Sequence, residues 1–476
     1  MNQDYRKSCQ VFTPKKIVEQ LLDWCYYKEN LYGKKVMENS CGEGHILKEV
    51  VKRYIDDSIR KDISKNEIKN GLENDIYGIE CDKEKYNMCI ETINKVTKEY
   101  EINDVNWKNI IYGDTLKIET KESFDYIVGN PPYIKYKTLE KKDREYIRKN
   151  FETCQKGKFD YCYAFIEKSI KTLKKGGRMA YLIPSSIFKN VFAAQLRDYI
   201  KPHIEEIYDY TTEKLFDKYT NDEHSDRLTS SAIMILTKDS NNNILKYEDV
   251  TEKKQVIINK NELEKKWIFS DNKIGVENKT KFSKYFLASN SIATLCNKAY
   301  IINNYTEDED YIYTDNNERI EKGIIKDTIS PKNFDKEIKQ KIIFPYFYEK
   351  GELVRYTKEE FEKKFPNASH YLKNNYNEEL QNRRADKGAQ WFEYGRSQAL
   401  KNNNQDKLLL STVITNEVKT KILPPNNIPY SGIYIISTGE RGLQEAQEIL
   451  KSKDFLEYVN KIGIHASRKI FKDNST

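Results

Sequence analysis

The sequence predicts an α/β protein, with a doubly wound, mostly parallel sheet over residues 1–245 and an α+β region over 246–476. Three observations carry this reading. Short strand-like apolar runs alternate with longer helix-like segments through the first half, the pattern of parallel strands joined by crossover helices. Glycines and acids recur at the ends of those runs, where open α/β sheets hold their ligands. After about residue 245 the alternation stops. Charge-dense helical stretches, many Asn residues and short apolar runs such as Ile342–Tyr348 and Gly432–Thr438 follow, with no repeating period.

The elements follow in order. Lys34–Ser40 reads as a first strand, turning through Gly42 and Gly44 into a helix over Ile46–Asp57. Asp75–Cys81 is a second strand, followed by a helix over Lys83–Tyr100, and Ile110–Leu116 closes a third unit. Phe124–Asn130 is a fourth strand, Asp160–Lys175 a helix and Arg178–Pro184 another strand. A polar stretch, Asp217–Arg227, reads as a loop before a last strand, Ser231–Thr237.

Composition sets the limits. A chain of 476 residues exceeds the roughly 250–300 at which single cores stop growing, so two domains are expected. Hydrophobic residues at 38% and aromatics at 12% suffice to bury two cores. The formal charge of +7, from 81 basic and 74 acidic residues, fits a nucleic-acid partner without requiring one. Met1–Gln10 is polar and no apolar run approaches the roughly 18 residues of a spanning helix, so a soluble, cytoplasmic protein is expected. The 8 cysteines are scattered and the 5 histidines show no paired zinc spacing, which predicts reduced thiols and no metal.

The first turn, Asn39-Ser40-Cys41-Gly42-Glu43-Gly44, lets backbone approach a nucleotide closely, although a plain strand–helix turn reads the same way. Glu80, at the end of the second strand, has the place and chemistry to grip ribose hydroxyls. Asp114, in Gly113-Asp114-Thr115, is able to accept from an adenine amino group; an acid there also serves as a helix cap. The fourth strand runs into Asn130-Pro131-Pro132-Tyr133, whose two prolines remove two donors and leave a loop of acceptors. An exocyclic amine is a poor nucleophile until both hydrogens are held by acceptors. The Asn130 side-chain oxygen and the Pro131 carbonyl suit that task, and Tyr133 suits stacking on a base. A base inside a duplex reaches such a loop only by flipping, at a cost of a few kcal/mol.

With these motifs in this order, the sequence resembles the S-adenosylmethionine-dependent adenine-N6 DNA methyltransferases of restriction-modification systems, over most of residues 8–240. The resemblance implies a Rossmann-like catalytic domain at 1–245 and a DNA target-recognition domain at 246–476. Thr13, in Val11-Phe12-Thr13-Pro14, is implied as a cofactor contact, and Glu38-Asn39-Ser40-Cys41-Gly42-Glu43-Gly44 matches the family's first motif with Asn39 in place of proline. Glu38, Ser40, Gly42, Gly44, Glu80, Asp114 and Thr115 form the implied cofactor site, joined by Phe165 packing on the adenine ring; a core role also fits a lone helical Phe. Asn130, Pro131, Pro132 and Tyr133 fall on the catalytic motif, and Phe216 is placed to sandwich the flipped base.

For double-stranded DNA, the resemblance and the pattern of basic and aromatic residues single out Gln381–Arg384 (with Arg383 and Arg384), Trp391–Ser397 (with Trp391 and Arg396) and Arg468–Lys469. The basic segment Lys135–Lys149 is placed to meet phosphates, and a solvated helix face fits it as well. Methylation of glutamine side chains in proteins or of adenine in RNA shares the catalytic tetrapeptide, and cytosine-N4 chemistry is related. A non-catalytic specificity subunit is expected to lack Glu80, Asp114 or Asn130, all present here. A monomer is expected, with any cleavage performed by a separate, cognate endonuclease.

Overall fold

The computed structural model describes residues 13–210, 231–269, 281–336, 338–414, 417–467 and 470–472. The chain divides into two compact units, Met1–Lys273 with Lys461–Arg468, and Ile274–Asn460 with Lys469–Thr476.

The first unit is the predicted α/β fold. In chain order it contains α1 (Lys15–Trp24), β1 (Val36–Glu38), α2 (His45–Arg60), α3 (Lys65–Asp75), β2 (Ile76–Glu80), α4 (Lys83–Glu99), β3 (Ile110–Tyr112), β4 (Phe124–Gly129) and α5 (Lys141–Asn150). Then come α6 (Cys162–Thr172), β5 (Leu173–Pro184), α7 (Ala194–Ile200), β6 (Ile204–Tyr210), β7 (Ser231–Thr237), β8 (Ile244–Asp249) and β9 (Lys254–Asn259). Among the described residues they build a 9-stranded sheet of order β3-β2-β1-β4-β5-β7-β6-β8-β9. Strands β1 to β5 are mutually parallel, and β7 lies antiparallel between β5 and β6.

Both faces of the sheet are covered, which explains why β2 and β7 are buried along almost their whole length. On one face α1 to α4 contribute Leu21, Leu22, Val50, Ile68 and Ile93; on the other α5 to α7 contribute Ile147, Ile166 and Leu196. Strand order reverses between β1 and its two neighbours, β2 on one side and β4 on the other. That switch point opens the crevice where α/β sheets receive ligands.

Strand β7 is not the last of the sheet. The hairpin β8–β9 follows it, β8 pairing parallel to β6, so a boundary at 245/246 would cut through β8. The reason is visible in its burial: β8 and β9 alternate buried and exposed positions at the sheet's edge, so neither shows the continuous apolar run of the central strands.

The second unit is α+β. An antiparallel sheet orders Phe286–Asn290, Ile433–Ser437, Lys407–Leu410 and Thr420–Leu423, with smaller sheets and the helices Lys358–Lys364, Pro366–Asn382 and Leu443–Lys451 beside it. Among the described residues no helix is long and apolar enough to cross a membrane.

Candidate active site

The residues at the carboxyl ends of β1 to β4 converge. A pocket is lined by Asn39 and Ser40 after β1, Glu80 and Cys81 at β2, Asp114 and Thr115 after β3 and Pro132 after β4, with Ile79, Ile134, Tyr161 and Phe165 as its apolar wall. Ser40, Glu80, Asp114, Thr115 and Phe165 are thus brought together from four separate stretches of sequence. Ile79, Cys81, Ile134 and Tyr161 are not among the site residues the sequence suggests, and Asn39 enters there only as part of the turn. Tyr161 stands four residues before Phe165, and their ring centroids lie 5.3 Å apart; that i, i+4 spacing was the available signal.

The turn after β1 is set by its glycines. Gly42 and Gly44 have φ of +52° and +83°, and a Cβ on Gly44 would meet the Cys89 Sγ at 2.9 Å and the Cys89 Cα at 3.2 Å. The Gly42 amide donates to Glu80 Oε2 at 2.9 Å, and the Asp82 amide donates to Glu80 Oε1 at 2.8 Å. Glu80 therefore ties the first turn to the second while its carboxylate borders the pocket. Asp114 accepts from the Leu116 amide at 3.1 Å and pairs with Lys117 at 3.3 Å.

Asn39 replaces the proline of the family pattern and rigidifies the turn by other means. Its Nδ2 donates to Ser169 Oγ at 2.9 Å and its Oδ1 accepts from the Tyr181 hydroxyl, while its main-chain oxygen accepts from the Thr115 hydroxyl. Ser169 and Tyr181 also bond each other at 2.7 Å. All of these groups are buried, so each bond forms without water as a competitor.

The loop Asn130–Tyr133 is held from three sides. The Tyr133 hydroxyl lies 2.6 Å from both Asn130 Oδ1 and the Leu182 carbonyl. Burial pushes its pKa well up, so it stays a proton donor. Asn130 Nδ2 donates to Thr13 Oγ1 at 3.2 Å, and the Ser40 hydroxyl donates to the Asn130 carbonyl at 3.3 Å. Beyond the loop the Tyr161 amide donates to the Ile134 carbonyl at 2.9 Å, fastening it to the start of α6.

Thr13, Glu38, Gly42 and Gly44, also expected on the cofactor, are not among the residues lining this pocket. The Thr13 hydroxyl accepts from the Asn130 side-chain amide at 3.2 Å. Glu38, 2% exposed, accepts from the Leu47 amide at 3.1 Å in the first turn of α2, and burial raises its pKa.

The candidates for DNA contact in the second unit divide. Arg383 faces inward: its guanidinium donates to the carbonyls of Thr294, Trp391 and Glu393 and to the Tyr300 hydroxyl, so its donors serve the fold. Trp391 packs edge-on against Phe361 and Phe392 beneath Lys373. Arg384 is exposed, and Arg396 pairs with Asp386 at 2.8 Å. Phe216, Arg468 and Lys469 lie outside the described residues.

Residues 27–216 match the family described as Eco57I restriction-modification methylase. The matched stretch includes the turn after β1, the acids of β2 and β3, and the Asn130 loop. It resembles the Type II methyltransferase M.BstVI of Geobacillus stearothermophilus, 31% identical over 41% of this chain and 37% of the relative. The Type II restriction enzyme and methyltransferase RM.Eco57I of Escherichia coli is 24% identical over 89% of this chain and 53% of its own length. The chain thus spans about half the length, or less, of these curated relatives. In fold it is similar to the Type IIL restriction-modification enzyme MmeI, solved in complex with DNA, with a TM-score of 0.61, 13% identity, and coverage of 96% of this chain and 63% of that one.

Proposed function

We propose that this chain is a site-specific DNA methyltransferase that transfers a methyl group from S-adenosylmethionine to the N6 amino group of adenine in duplex DNA. One observation carries the reading: a pocket with carboxylates at the ends of two adjacent strands opens beside an Asn-Pro-Pro-Tyr loop whose asparagine is fixed by Tyr133 and Thr13.

The pocket suits an adenosyl group. Glu80 would hold the ribose hydroxyls and Asp114 the adenine amine, with Phe165 and Ile79 as apolar walls. Bound there, S-adenosylmethionine supplies an electrophilic methyl group. The chain's own contribution is positioning and polarisation. Asn130 Oδ1 and the Pro131 carbonyl accept the two amine hydrogens, drawing the nitrogen lone pair out of conjugation with the ring. An amide oxygen accepts from two donors, so Tyr133 and the amine hydrogen share Asn130 Oδ1. The Thr13 contact holds the amide's other end, which keeps oxygen and not nitrogen toward the base. Tyr133 offers its ring to the flipped adenine. The relatives' printed names, a Type II methyltransferase and a Type II restriction enzyme and methyltransferase, support DNA as the acceptor and a restriction-modification setting.

The test is incubation with tritium-labelled S-adenosylmethionine and mixed-sequence unmethylated duplex DNA, beside Asn130→Ala, followed by digestion to nucleosides. Label in N6-methyladenosine with wild type and none with the variant is expected. Intact cofactor binding with no label in DNA would refute the reading.

A further inference from the structure

A second surface of the methylase region carries chemistry that the pocket does not use. Beyond β5 the chain enters the short turn Val191–Ala193, where Val191 is 49% and Phe192 42% exposed. Two adjacent apolar side chains facing water on a loosely held segment would fold down against the body. Here the main chain of the turn is braced. Asn190 Oδ1 accepts from the Phe192 amide at 2.9 Å. Beneath the turn the Arg197 guanidinium, 2% exposed, donates to the carbonyls of Ile187 and Asn190, each at 2.7 Å. A buried arginine whose donors are occupied by main-chain carbonyls is a strong brace for a loop.

The turn adjoins the catalytic loop through a chain of contacts. Phe192 rests over Gly157, where a Cβ would come within 2.7 Å of its ring. The Gly157 carbonyl accepts from Arg148 at 2.7 Å, and the same guanidinium donates to the Tyr136 hydroxyl at 3.2 Å, three residues past Tyr133. Lysines surround the ring: the Lys158 ammonium lies 5.9 Å from the Phe192 centroid, and Lys156 and Lys158 are both exposed. Lysine is depleted at the core of protein–protein interfaces, whereas ammonium groups beside an exposed aromatic suit a polyanion whose bases present flat apolar faces.

We propose that Val191 and Phe192, with Lys156 and Lys158, form a contact with duplex DNA beside the base pocket, the Phe192 ring packing on the base face uncovered when adenine leaves the stack. Lys156 and Lys158 hold the phosphates of the same strand. The contact rests on the methyltransferase reading, and it supplies what that reading leaves open: a partner for the bases that lose their stacking when the target flips, a loss of a few kcal/mol per step.

The experiment compares wild type, Phe192→Ala and Phe192→Trp on a duplex containing the adenine identified by labelling, either paired or opposite an abasic site. With Phe192→Ala, KM for the paired duplex rises about ten- to a hundredfold, the range of one lost base–aromatic stack. Cofactor affinity stays unchanged, the deficit persists opposite the abasic site, where flipping still uncovers the neighbouring base face, and Phe192→Trp restores the wild-type value. Lys156→Ala with Lys158→Ala lowers the salt dependence of duplex binding by about two phosphates. Phe192→Ala within twofold of wild type on the paired duplex overturns the inference, as does a loss confined to the paired duplex. A wild-type protein that labels no DNA at all overturns the methyltransferase reading together with this contact, which separates the two failures.

Discussion

Asn39→Ala probes how the cofactor turn is held. The substitution removes two buried hydrogen bonds, from Asn39 Nδ2 to Ser169 and from Tyr181 to Asn39 Oδ1. Without Asn39 the Tyr181 hydroxyl is free to donate to Ser169 Oγ, 2.7 Å away, while Ser169 still donates to the Phe165 carbonyl at 2.8 Å, so neither partner is left without a bond. The loss is then about 1 kcal/mol per bond, roughly 2 kcal/mol together, without the larger penalty of an orphaned buried group. For a unit of this size that lowers the melting temperature by about 4–8 °C. The main-chain oxygen of Asn39 also holds the Thr115 hydroxyl at the pocket wall, so the turn loosens where the cofactor would sit. Calorimetric titration with S-adenosylmethionine should show about tenfold weaker binding, equivalent to roughly 1.4 kcal/mol. A variant that melts with wild type and binds the cofactor equally well would refute the argument that this network rigidifies the turn.

Three further expectations follow from the same reasoning. Tyr133→Phe keeps the ring but removes the hydroxyl between Asn130 Oδ1 and the Leu182 carbonyl, so kcat should fall about tenfold with KM for DNA nearly unchanged; a rise in KM alone would contradict a positioning role. Asp209 is buried beside Asp249, with Lys189 opposing and Tyr247 donating at 3.2 Å, and burial is the main cause that lifts its pKa to about 7. Because the folded pKa lies above the unfolded value of about 3.9, its contribution to stability is present below about pH 4 and lost as pH rises through about 7. Asp209→Asn should therefore flatten the melting temperature between about pH 5 and 8 and stabilise the protein at the upper end, and an unchanged profile would contradict this. Arg383→Ala should lower the melting temperature of the second unit by several degrees, having removed donors to four acceptors, whereas Arg384→Ala should leave it unchanged and weaken duplex binding, with a salt slope smaller by about one. Equal effects of the two on stability would show that the inward and outward assignments are mistaken.

The sequence by itself determined the elements that local backbone geometry encodes. Alternating apolar runs read as β1, β2, β4 and β5, because side-chain period reflects the strand or helix a segment adopts. Glycines at positive φ marked the first turn, and the acids Glu80 and Asp114 marked the strand ends that border the pocket. Tertiary structure decided which polar groups meet. Thr13 reaches Asn130 across 117 positions and Asn39 reaches Ser169 across 130, contacts that exist only because α1 and α6 pack around neighbouring strands of one sheet. Arg383 looked like a DNA reader because its charge is visible in sequence, while two of the four acceptors that claim it, Thr294 and Tyr300, lie 89 and 83 positions away. The hairpin β8–β9 was hidden for the opposite reason, since an edge position half in water carries a weak pattern and its place depends on β6. Periodicity is written residue by residue along the chain, but hydrogen-bond partners are chosen by the order of strands in the sheet, and that order is set by the packing of the whole unit.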